Sequence, residues 1–97
     1  MEELPVEFNV ERRQWGEWFR SRREDRQAAR KVFREAVKLL DVGPLELAKR
    51  LQAGDEEAKQ AILSVGEAHP EWDFDGSFLK IILELILKFL PIILLLF

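Results

Sequence analysis

Residues 78–97 read "FLKIILELILKFLPIILLLF", and the fold turns on whether lipid or protein covers this stretch. Sixteen of its twenty positions are Ile, Leu or Phe. As one helix it would be about 30 Å long, which matches the hydrocarbon thickness of a bilayer. At about −0.3 to −0.6 kcal/mol each, the apolar side chains contribute roughly −5 to −10 kcal/mol to insertion. Lys80, Glu84 and Lys88, at about +2.5 to +3.5 kcal/mol each near a helix centre, cancel most of that gain. A single unaccompanied span is therefore marginal, and the segment needs company.

The three charges are spaced by four, so they form one narrow stripe on which Glu84 can pair with either lysine. A solvated ladder is the plainest reading of that stripe; the others are a helix lying in a membrane interface with the stripe toward water, several copies bundled with the stripe inward, and a helix buried in protein with the stripe as its only wet edge. Pro91 removes a backbone donor and clashes with the carbonyl of Leu87, which predicts a kink between a striped half and a featureless apolar end. The candidate docking residues before the kink are Phe78, Leu79, Ile82, Leu85, Ile86, Phe89 and Leu90. At and after it they are Pro91, Ile93, Leu94 and Phe97. A bilayer and a hydrophobic partner surface both suit this set, and the segment length leans slightly to the bilayer.

Working back from the tail, "HPEWDFDGS" (69–77) closes the preceding helical part, with Pro70 stopping a helix and Asp75 or Ser77 able to cap the next. Trp72 lies where a membrane interface would begin. The one histidine, His69, stands beside Glu67, Glu71 and Asp73, which allows a carboxylate–histidine pair, but it reads first as a solvent-exposed loop residue, because no nucleophile or metal-ligand spacing accompanies it. "AGDEEA" (53–58) ends one short helix and starts another: Gly54 stops the first, Asp55 caps the second, and Glu56 and Glu57 suit its positive end. Helices over about 44–53 and 56–68 then form an antiparallel hairpin.

Upstream, Trp15, Trp18, Phe19, Ala29, Val32, Phe33, Ala36, Val37 and Leu40 recur at helical spacing, which predicts one helix from Val10 to about Leu40. Gly43 is expected to cap its C-terminus. Its central run "RSRREDRQ" (20–27) has no apolar residue. A basic contact strip of Arg12, Arg23, Arg26, Arg30, Arg34 and Lys38 runs beside aromatic anchors Trp15 and Trp18. Residues 1–9 read as an acidic extended arm, with Asn9 as helix cap and Phe8 stapled onto the helix.

Composition narrows the function. The chain has 97 residues, no cysteine, one histidine and a net charge of −3. A core of that size is modest, so self-association or docking into a larger assembly is expected. The charge is segregated: residues 11–40 hold ten Lys or Arg against five acids, and residues 41–76 hold nine acids against three bases. Interleaved acids weaken any nucleic-acid footprint, so nucleic acid ranks below acidic protein surfaces as a partner of the strip. The first ten residues hold three acids and lack the basic-then-apolar pattern of a secretory signal. No phosphate loop, catalytic constellation or metal-ligand spacing occurs. No cofactor or small-molecule substrate is indicated, and the chain is not expected to be an enzyme.

These readings predict an all-α fold made of a long basic amphipathic helix, a short helical hairpin and a Pro-kinked apolar C-terminal helix. That last helix is a candidate transmembrane or interface-buried segment. The expected organisation is an arm (1–9), a small helical domain (10–76) and the apolar helix (77–97). The expected function is non-enzymatic assembly or anchoring, as a homo-oligomer or a subunit of something larger. The tail would dock into a membrane or partner while the basic helix contacts other subunits. The alternatives are a virion-like structural component without lipid, and an oligomeric pore-forming effector.

Overall fold

The break in the first predicted helix explains how the rest of the chain packs. A computed structural model describes residues 5–97. The first four residues of the predicted arm lie outside the described residues. In place of one helix from Val10 to Leu40 there are two, α1 (Arg12–Arg20) and α2 (Arg23–Leu40). Ser21 and Arg22 between them are extended. The physical reason lies in "RSRREDRQ", which offers no apolar side chain whose burial would hold a straight helix. Ser21 also turns its hydroxyl back to donate to the Trp18 carbonyl, a local bond that competes with helix continuation. Beyond the break, Glu24 and Asp25 occupy the first turn of α2, where the helix dipole favours acids.

The remaining boundaries follow local chemistry. Asp41, in the left-handed region at φ 53°, ends α2, and Asp tolerates that conformation better than most residues. Gly43 instead precedes α3 (Pro44–Gln52), with Pro44 in its first turn. Gly54 sits at φ +81° between α3 and α4, a conformation glycine adopts without a Cβ penalty. Asp55 caps α4 (Glu56–Ala68) by accepting from the amides of Glu57 and Ala58. Asp75 caps α5 (Gly76–Lys88) through the Phe78 amide at 2.7 Å. At the start of the chain Val6–Phe8 form a 3-10 turn, and Glu11 rather than Asn9 caps α1 in a reciprocal box with Gln14.

The predicted kink is present. Phe89 leaves helical geometry at φ −119°, ψ 30° and joins α5 to α6 (Leu90–Leu96), with Pro91 in the first turn of α6. There its missing N–H would have had no intrahelical partner. The two pieces are 13 and 7 residues long, and no described helix is long and apolar enough to cross a membrane.

Helices α2, α4 and α5 pack against one another, and α6 folds back onto α3. One buried cluster joins Val32, Phe33, Leu47, Ile62, Ile82 and Ile93, so the tail shares a core with the helices before it. Alanines at 28, 29, 36, 58 and 61 are buried along the facing stripes and let these helices approach closely. Phe8 is also buried. The Cα radius of gyration is 12.7 Å, against about 13 Å for a compact 100-residue domain. A projecting tail would raise it.

Candidate functional site

The tail residues marked for docking are mostly spent inside the chain. Leu79, Ile82, Ile86, Phe89, Leu90, Pro91 and Ile93 are buried, Phe78, Leu85 and Leu94 are half-buried, and Phe97 is exposed. The hydrophobic effect is satisfied first by the apolar stripes of α2 and α4, which would otherwise face water. Lys80, Glu84 and Lys88 lie on the outer, exposed face of α5. Lys88 reaches Glu17 of α1 at 3.8 Å, an exposed pair of small energetic weight.

That contact belongs to a larger one that periodicity alone does not show. Trp18 is 2% exposed and meets Phe89 edge-on, with ring centroids 5.4 Å apart. The elbow between α5 and α6 is thus the seat of α1. Because α1 turns away from α2 at Ser21, its other aromatics remain at the surface. Trp15 and Phe19 stack at 5.8 Å and 19°, and Phe19 is 64% exposed.

The arginines at this corner are held in place. Arg26 donates to the carbonyls of Phe19 at 3.2 Å and of Ser21, which covers the C-terminal end of α1, where cations are favoured. Its guanidinium carbon is 5.7 Å from the Phe19 ring centre, within cation–π range. Arg30 donates to the Leu96 carbonyl at 2.8 Å, tying the last turn of α6 to α2. The buried Nε of Arg30 meets no acceptor among the described residues. Trp15, Trp18, Phe19, Arg23, Arg30 and Leu96, together with Arg26 and Gln27, line a cleft of about 280 Å³.

The predicted basic strip is therefore only partly assembled. Arg23, Arg26 and Arg30 converge on the cleft. Arg34 is exposed, Lys38 pairs with Glu35 at 3.1 Å, and Arg12 sits on α1, separated by the break. Trp72 stands apart from the other two tryptophans and is half-buried.

His69 departs from the expected free loop position. It is half-buried, its Nε2 lies 3.0 Å from Glu35 of α2 and its Nδ1 2.9 Å from Glu71. Its ring stacks on Trp72 at 4.1 Å, and the Lys31 ammonium lies 4.4 Å from the Trp72 ring centre on α2's side. The Glu71 hydrogen bond, with Glu35 adding to it against partial desolvation, raises the His69 pKa above its ordinary 6.5. Lys38 chiefly, with His69, lowers that of Glu35, and His69 lowers that of Glu71.

The histidine's contribution to stability is whole below about pH 6.5 and is lost as pH rises through its raised folded value; the carboxylates' contribution is lost as pH falls through their lowered ones. Wild-type melting temperature is expected to fall more between about pH 6 and about pH 8.5 than that of His69→Gln, read by circular dichroism. Equal slopes would show that the bridge carries no weight.

Among the described residues, no group of three or more His, Cys, Asp or Glu could hold a metal ion. Compared with known proteins, the chain matches no family model, no curated protein and no solved structure.

Proposed function

We propose that this protein is a non-enzymatic assembly module that docks onto another protein through the aromatic corner of α1, α2 and the end of α6. The carrying observation is Phe19. It is a large apolar ring, mostly exposed, stacked on Trp15 beside Leu96, in a chain whose core is already closed beneath it by Trp18 and Phe89. Exposed aromatics on a rigid support have the character of interface anchors. Leu95 and Phe97, on either side of Leu96, are also exposed and widen the apolar surface at this end of α6. In this reading only the outermost residues of α6 make contact with a partner, while the rest of the tail stays in the core.

A photoreactive phenylalanine analogue at position 19 tests this in source cells, with the exposed Gln60 position as control. Discrete protein adducts are expected at 19 and none at 60. An unlabelled band pattern at 19, or the same pattern at both positions, would overturn the proposal.

A further inference from the structure

Resting on that docking reading, we infer that the cleft takes an acidic peptide segment of another protein, which lays an apolar side chain against Phe19 and Leu96 and sets carboxylates on the arginine wall. The cleft volume is about 280 Å³, just under the roughly 300–1,000 Å³ of small-molecule sites. Its size suits one or two side chains of a peptide.

The charge complementarity comes from three observations. First, Arg23, Arg26 and Arg30 all line the cleft, and no acid does among the described residues. Second, Arg26 and Arg30 bond to backbone carbonyls; these fix the guanidinium groups without cancelling their charge. Third, Arg23 is exposed and has no ion-pair partner among the described residues, whereas Glu17 and Glu24 nearby are engaged by Arg13, Lys88 and Arg22. Guanidinium groups held in fixed orientation are suited to bidentate pairing with carboxylates.

The same arginines can meet phosphate on a lipid surface, but they share a concave cleft with Trp15, Trp18, Phe19 and Leu96, which a flat headgroup layer fills poorly.

A random-peptide library displayed on phage and selected on the full chain tests the inference. Enriched peptides are expected to carry Leu, Ile, Phe or Trp within one helical turn of two or more Asp or Glu. Their affinity is expected to fall about tenfold or more in each of Phe19→Ala and Arg23→Glu, both surface changes, with the unfolding midpoint unchanged as a folding control. It is also expected to fall with added salt.

Enriched peptides that are neutral or basic, yet lost by Phe19→Ala, would overturn the acidic class and leave the docking function standing. Binding that both variants retain, or no enrichment, would overturn the site, while adducts at position 19 would independently preserve docking. Dimers of the wild type lost in the double variant would assign the cleft to a second copy and overturn a foreign segment. A blue shift of tryptophan emission with phosphatidylserine vesicles, absent with peptides, would overturn it in favour of lipid.

Discussion

A chain ending at Gly76 is expected to lose its cooperative thermal transition and to bind a dye specific for exposed apolar surface. The truncation removes Leu79, Ile82, Ile86, Phe89, Leu90, Ile92 and Ile93, all of which are buried in the common core. At about 1.5–3 kcal/mol for each fully buried side chain, the loss is on the order of 10–20 kcal/mol. That exceeds the roughly 5–15 kcal/mol that a domain has in total. The upper faces of α2 and α4, with Val32, Phe33, Ile62 and Val65, would be left facing water. A sigmoidal melt in the truncated chain, at a midpoint near that of the full one, would show that α5 and α6 are an appendage.

Trp18→Ala is expected to destabilise the protein by about 3–5 kcal/mol, the range for removing a large aromatic from a core. Trp15→Ala, one turn away but half-buried, should cost about 1 kcal/mol or less. The contrast tests whether α1 is held by Trp18 or by its whole aromatic face. Denaturant unfolding followed by circular dichroism reads both changes. Combining Trp18→Ala with Phe89→Ala should fall short of the sum of the single losses, since the edge-on pair is counted twice. Full additivity would mean that the two rings do not depend on each other.

Local chemistry made much of the fold legible. Asp55, Gly54 and Pro44 mark the ends of α3 and α4 through side-chain capping, positive φ and a first-turn proline, and each acts within a few residues. Pro91 marks the elbow for the same reason. The break at Ser21 is harder to read, because the apolar residues before and after "RSRREDRQ" fall on one helical wheel even though the helix is interrupted. The tail is ambiguous in sequence for a different reason. Leu and Ile are equally content in lipid and in a protein core, so only the uncovered stripes of α2 and α4 decide which they meet.

The candidate site is legible in pieces. The arginines and Trp15 stand out as residue types, whereas Phe19 reads as one more residue of the apolar helix face and Leu96 as one more of the tail; their place in the cleft depends on the turn at Ser21 and on Leu96 arriving from the far end. His69 has the same difficulty, since its partner Glu35 is 34 positions away. Nothing in the run around "AHPEW" signals that partner.

The bond from Arg30 to the Leu96 carbonyl spans 66 positions, and this has a consequence for biosynthesis. At about 5–20 residues per second, a ribosome takes roughly 3–13 s to travel from one to the other. Until α5 and α6 have been made, α2 lacks the cover that packing on α5 and the Arg30 bond to α6 supply, and its apolar stripe is open to chaperones or to neighbouring nascent chains. The core closes over α2 only once α5 and α6 are both available, so the interval before that is when the chain is most exposed to misassembly.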